Sequence, residues 1–369
     1  MSHVLITGGA GFIGSHLAAA LVGRGDRVRA LDSLDPQVHG AIDRPDYLHE
    51  AVELQVGDVR DPAAVEAALR DVDAVVHLAA AVGVGQSMYA VEKYTSVNAL
   101  GTAVLLETLA RRRVKRLVVA SSMSVYGEGL YISEDGLTAD ACTRSLDDLK
   151  RGDWEPRDAQ GRRLTPLPTP ESKPPSLESV YALGKYDQER LCLMLGRAYG
   201  IPTIALRFFN VYGPHQALSN PYTGVLAIFA SRLMNDRPPL IFEDGLQQRD
   251  FVNVADIAQA VVLALDRPDV SDTVLNIGSG EARTIRDIAR VLAAALGSST
   301  EPEITSQYRI GDIRHCFADI TRATELLGYR PQTTLDEGLR ELTAWLAEQE
   351  AVDRVHEAHQ ELLSRGLAV

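Results

Sequence analysis

Residues 7–14 read Thr-Gly-Gly-Ala-Gly-Phe-Ile-Gly, and no other stretch constrains the fold of this chain so narrowly. They follow a β-prone run at 4–7 and lead into a helical run at 13–23. Glycines at such a junction permit a tight turn, let backbone amides approach an anion at a helix N-terminus, and allow the helix to pack closely on its strand. The same rhythm continues through short apolar runs at 28–31, 52–56, 74–78 and 117–120, separated by helical stretches. Strands alternating with helices imply right-handed crossovers and a parallel sheet covered on both faces, a doubly wound α/β fold.

Further strands are expected at 203–207 and 274–277, and helices at 179–199, 256–265, 285–296 and 335–349. With 369 residues, 46% hydrophobic and 24% charged, the chain suits a large α/β unit with an appended lobe. We expect a dinucleotide-binding (Rossmann) domain at 1–209 and a smaller C-terminal α/β substrate lobe at 210–253 and 279–350. Residues 254–278 return to the first domain, and a helical tail occupies 351–369. A Pro-, Asp- and Arg-rich insertion at 140–176, containing Thr-Pro-Leu-Pro-Thr-Pro, reads as a surface flap. The tail carries no chemical motif and reads as a solvated helix.

A net charge of −13 argues against general nucleic-acid binding, so any phosphate site must be local. Cys142, Cys192 and Cys316 are too scattered for a disulfide framework or zinc ribbon; reduced thiols and no metal site are expected. No run reaches the ~18 apolar residues of a membrane span, and the N-terminus lacks a basic leader, so the expectation is a cytoplasmic protein with no membrane partner.

Asp32, ending the second strand, can accept from both ribose hydroxyls of a dinucleotide and repels a 2′-phosphate, which favours NAD over NADP. Gly8, Gly11, Phe12, Ile13 and Gly14 would cradle its pyrophosphate. Asp58 and Val59 end the third strand, where a carboxylate can meet the adenine amino group; the alternative for Asp58 is a helix N-cap. Leu78, Ala79 and Ala80 end the fourth strand and leave room for ligand.

Tyr181 and Lys185 stand at i and i+4 of a helix, one turn apart on one face. An ammonium there favours a phenolate. Bringing a phenol to neutrality takes roughly 4 kcal/mol, which Lys185 and a cationic nicotinamide can supply together. The fifth strand ends in a hydroxyl cluster containing Ser122 and Ser124, suited to hydrogen-bonding a substrate hydroxyl and the carbonyl it becomes; helix capping is the plainer role.

On residues 7–14, Asp58, 77–80, Asn98, 121–127, Tyr181 to Lys185, 207–213, 249–252 and 309–312, the sequence resembles the extended short-chain dehydrogenase/reductases, specifically the NAD-dependent nucleotide-sugar epimerases and dehydratases, over roughly 3–345. The resemblance implies that Ser122, Tyr181 and Lys185 are catalytic, that Ser124 contacts substrate, and that Asn98 supports Lys185. It places Phe208 and Asn210 beside nicotinamide and sugar, and Arg249, Arg309 and a third arginine, Arg314, on a nucleotide diphosphate. Tyr308 is a candidate for stacking on the base.

Family dehydratases carry Asp-Glu where this chain has Met123-Ser124, so C4 epimerisation of a dTDP- or UDP-hexose through a 4-keto intermediate fits better than 4,6-dehydration. Nucleotide-sugar decarboxylation, 4-ketoreduction and, remotely, non-catalytic NAD sensing are the alternatives. Epimerases of dTDP-6-deoxyhexoses carry a similar flap, expected to roof the sugar pocket. The likeness also implies a homodimer built on helices around 87–112 and 179–199, with Leu105, Leu106, Leu191 and Leu195 as interface candidates, although internal core accounts for them equally well.

Overall fold

The computed structural model describes residues 1–139, 144–222, 224–309 and 312–367; Cys142 and part of the flap lie outside them. The central sheet contains β1 (His3–Thr7), β2 (Arg27–Asp32), β3 (Glu53–Val56), β4 (Ala74–His77), β5 (Arg116–Ser122), β6 (Thr203–Phe208) and β7 (Thr273–Ile277). Their order is β7-β6-β5-β4-β1-β2-β3, with every neighbouring pair parallel. The strand order reverses between β1 and β4, and the crevice at the carboxyl ends there is where open α/β sheets bind ligands.

The longer helices are α1 (Phe12–Gly23), α2 (Gly101–Arg111), α3 (Val180–Tyr199), α4 (Val225–Met234), α5 (Val254–Asp266), α6 (Ile285–Ala295), α7 (Leu335–Leu346) and α8 (Val355–Ser364). Side-chain alternation along β1 sends Val4 and Ile6 to one face, where they meet Leu17 and Leu21 of α1 and Ile257 and Val261 of α5. Leu5 points the other way, into a second core with Leu105 and Leu109 of α2 and Cys192 and Leu193 of α3. Leu105 and Leu106 are thus internal core.

The helix expected around 87–112 is broken. It comprises Val84–Ser87, Val91–Thr95 and a π-helical turn at Ser96–Leu100 before α2 begins. The wide turn buries Asn98 completely.

The lobe has its own core, in which Phe229 of α4, Ile288 and Leu292 of α6 and Leu339 and Leu342 of α7 pack around Tyr212. Flap strand Thr165–Leu167 pairs with Leu130–Ile132. Glu155 of the flap reaches the lobe, where its carboxylate meets both Arg314 and His315. The solvated tail is a correction: Ala358 and Leu362 of α8 are buried. Asp353 pairs with Arg232 and Arg237 at the base of α8, and Asn235 Nδ2 donates to the Ala351 carbonyl. An apolar stripe at 355, 358 and 362 drives this docking.

Candidate active site

A cavity of about 830 Å³ opens at the carboxyl ends of the central strands. At its floor, Gly8 has a positive φ of 70°, and a Cβ there would stand 2.9 Å from the Ala79 nitrogen. A Cβ on Gly14 would stand only 2.4 Å from the Gly8 carbonyl oxygen, so α1 can pack this closely only with glycine. Gly11 is the N-cap of α1 and has no side chain to bond the first-turn amides. The orphan donors of Phe12, Ile13 and Gly14 therefore face the cavity wall with the positive end of the helix dipole behind them.

Asp32 adjoins this turn. Its carboxylate accepts from the Ala10 and Leu34 amides, each at 3.0 Å, which fixes its direction. The cradle without Cβ atoms, the uncapped helix start and this oriented carboxylate together fit NAD, with the pyrophosphate on the amides and a ribose on Asp32. Asp58 also lines the cavity, paired with Arg60 at 2.6 Å. It is not an N-cap, since Asp61 caps the helix Pro62–Ala68. Val59, Leu78, Ala79, Ala80 and Phe208 complete this part of the wall.

Ser122, Ser124, Tyr181, Lys185 and Asn210 line the same cavity. Ser122 ends β5 and caps the short helical turn Met123–Tyr126, its Oγ accepting from the Ser124 amide at 3.1 Å. The cap holds Ser122 Oγ in place, and that hydroxyl also donates to Ser124 Oγ at 3.2 Å. Burial raises the Tyr181 pKa and the nearby Ser122 hydroxyl lowers it, with burial prevailing. Burial holds Lys185 down to about 8, against partial compensation by Cys192 and Glu189.

Tyr181 lies in the first turn of α3, which begins at its Ser179 cap, Oγ accepting from Ala182 N at 3.1 Å. The Tyr181 amide donates to Ser87 Oγ. Behind the pair, Lys185 Nζ donates to Gln188 Oε1 at 2.7 Å, and Gln188 Nε2 donates to Thr102 Oγ1 at 2.9 Å and the Ala79 carbonyl at 3.2 Å. His77 joins this buried network through Thr7 and Thr102, and burial beside the Lys185 charge holds its imidazole down to about 3. Sequence reasoning missed Gln188. The available signal was its place three residues after Lys185 on the same helical face.

Asn98, expected to bind the cofactor and to support Lys185, neither lines the cavity nor hydrogen-bonds Lys185. Its amide accepts from Ala81 N at 2.8 Å and donates to the Ala81 carbonyl at 3.2 Å, clamping the chain that leaves β4.

At the lobe end, Arg249 and Arg309 line the cavity and share the Asp312 carboxylate, at 3.7 and 3.0 Å. Burial raises the Asp312 pKa, but Arg309, Arg249 and Arg144 outweigh it and hold the group ionised. Arg249 is further tied to the main-chain carbonyls of Gln248, Ile313 and Arg314. The Arg309 guanidinium lies over Phe242, 4.6 Å from the ring centre, and Arg309 remains the more exposed of the two.

Arg314 does not join them. Its fully buried guanidinium is held by Glu155, Glu243 and Asp244, directed away from the cavity by the carboxylates around it. Tyr308 is likewise buried, against Trp154 of the flap at 6.3 Å. No described residue of the flap lines the cavity; α8 does, through Val355, Ala358, His359 and Leu362. The tail thus takes the place at the cavity expected of the flap, while the flap docks on the lobe.

The model of the NAD dependent epimerase/dehydratase family matches residues 4–145 and 161–278. The chain is 37% identical over 351 residues to dTDP-L-rhamnose 4-epimerase of Burkholderia thailandensis, covering 94% of this chain and 95% of that one. It is 30% identical over 353 residues to UDP-N-acetyl-alpha-D-glucosaminuronate decarboxylase of Bacillus cytotoxicus, covering 94% and 98%. Among solved structures it resembles UDP-glucuronic acid 4-epimerase from Bacillus cereus in complex with UDP-glucuronic acid and NAD, with a TM-score of 0.74 and 28% identity over 94% of this chain and 99% of that one. Near-complete coverage by relatives of this kind, on a fold whose glycine turn and Tyr-Lys pair share one cavity, makes this chain a member of the NAD-dependent epimerase/dehydratase family.

Proposed function

We propose that the chain inverts C4 of a nucleoside-diphosphate hexose, either a dTDP- or a UDP-sugar, with NAD as its cofactor. When bound, NAD would supply a reversible hydride acceptor, and Phe208, Tyr181 and Lys185 line the cavity that would hold it. Tyr181 takes the proton of the C4 hydroxyl, and Ser122 hydrogen-bonds the same oxygen as it becomes the carbonyl of a 4-ketohexose. The Lys185 charge favours the phenolate. Arg249 and Arg309 hold the diphosphate away from the reacting carbon, which leaves the hexose free to turn about its phosphate linkage and present its other face. Tyr181 then returns the proton to the inverted alcohol, with no net oxidation.

The observation that carries this reading is that Ser122, Tyr181 and Lys185 line the cavity that also holds the glycine turn and Asp32. Met123 and Ser124 stand on the cavity wall where dehydration needs an acid and a base, which supports epimerisation. The test is incubation of the pure protein with a panel of dTDP- and UDP-hexoses, followed by mass and NMR. The expected product is an isomer of unchanged mass. Loss of carbon dioxide or water, or consumption of external reduced cofactor, would replace epimerisation by decarboxylation, dehydration or ketoreduction. Tyr181→Phe should lower turnover about 10²–10⁴-fold.

A homodimer and a cytoplasmic location belong to the same proposal. Leu183 and Met194 of α3, with Val91 and Leu100 of the neighbouring helical run, are about half exposed and supply an apolar face. The free thiols of Cys192 and Cys316 agree with a reducing compartment.

A further inference from the structure

We infer that α8 forms part of the sugar-nucleotide site and that His359 on it is a binding residue for the diphosphate; the inference rests on the activity proposed above. Three observations converge on His359. Its imidazole is on the cavity wall, with its ring centre 5.4 Å from that of Phe242. Arg309 covers Phe242 at 4.6 Å, so guanidinium, phenyl and imidazole form one contiguous group beside the Asp312-paired arginines. The His359 Nδ1 is also buried without a hydrogen-bond partner, a cost that a ligand oxygen relieves after a small ring rotation.

The choice of diphosphate over base follows from the same geometry. Arg309 already occupies a face of Phe242, so a planar base would have to displace it to stack there. An anion needs no such displacement, because it meets the cationic group at its edge. Burial first, and then the Arg309 and His356 charges, disfavour a cation on His359, so the neutral imidazole meets the anion as a hydrogen-bond donor.

The course of α8 explains how a tail comes to reach this point. Its base is tied to the lobe through Asp353 and its far end lies on the dinucleotide domain. There Leu362 lies 3.6 Å from the Cβ position of Gly85, and the Arg365 guanidinium lies 4.5 Å from the centre of the Tyr89 ring. Tyr89 in turn meets Tyr222 through their hydroxyls at 2.5 Å. The helix therefore spans from the lobe to the helical run that follows β4, lining the cavity on the way.

The test is calorimetric titration of full-length protein, His359→Ala and His359→Asn with dTDP and UDP, and with the corresponding nucleoside monophosphates. The expected result is about tenfold weaker diphosphate binding by His359→Ala, a smaller loss for His359→Asn, and little change for the monophosphates. Equal loss for mono- and diphosphates would mark a merely structural role, and unchanged diphosphate affinity would overturn the inference while leaving the proposed activity standing. If the wild-type protein binds no nucleoside diphosphate, the proposed activity falls and this inference with it.

Discussion

Lys185 shows how one residue sets stability against chemistry. Burial holds its pKa at about 8 instead of the ordinary 10.5, so below pH 8 the folded state carries a charge that its surroundings disfavour. Between about 8 and 10.5 the unfolded chain binds more protons than the folded one, and this group makes the protein more stable as pH rises through that window. Lys185→Met should therefore be about 2–3 kcal/mol more stable than wild type at pH 7, with the advantage shrinking toward pH 10.5, and inactive. Urea unfolding at several pH values checks this. Gln188 acts on the same ammonium, accepting from Nζ at 2.7 Å. Gln188→Leu removes an acceptor that favours the charged form, so the basic limb of the kcat/KM profile should move to lower pH by roughly 0.5–1. A Gln188→Leu profile that coincides with wild type would rule out this positioning role. The Tyr181–Lys185 pair was legible in the sequence because both partners lie on one helix. Lys185 to Gln188 is equally local, but the meaning of Gln188 depends on Thr102 and Ala79, which lie on other elements.

Among elements, the flap is held by charge. Arg314 is completely buried and binds Glu155 of the flap together with Glu243 and Asp244, while Arg144 joins Glu243 at 2.6 Å. Burial would raise the Glu155 pKa, but hydrogen bonds from His315 and Arg314 prevail and hold it at about 2. Its pairing thus stabilises the fold fully above the ordinary 4.5, and this contribution is lost as pH falls toward 2. Arg314→Leu removes the cation shared by Glu155, Glu243 and Asp244, of which Glu243 alone is buried and keeps Arg144, and should cost about 2–3 kcal/mol by urea unfolding at pH 7. The part of the acid-side loss that belongs to Glu155 should shrink in this variant, with the His315 bond remaining. Nothing in the local sequence separates Arg314 from Arg309, five residues earlier, since each has an isoleucine beside it and Asp312 within three positions. The partner 159 positions away decides which is structural.

At the scale of the whole molecule, the half-exposed apolar face of α3 predicts association. Wild-type protein should sediment as a dimer, and a Leu183→Asp/Met194→Asp double variant as a monomer. Its unfolding free energy at low protein concentration should change by only about 0.5 kcal/mol per exposed site. A dimer that survives both charges would move the interface elsewhere. Residue order alone determined the parallel sheet, the glycine turn with Asp32 and the Tyr-Lys spacing, because each is written in neighbours within one strand–turn–helix unit or one helical turn. Only tertiary structure decided that Arg249 and Arg309 face the cavity while Arg314 does not, that the flap docks on the lobe, and that the tail walls the site. The docking of flap and tail depends on pairings between residues about a hundred or more positions apart, where burial and the nearest opposite charge decide among side chains that look alike in a linear sequence.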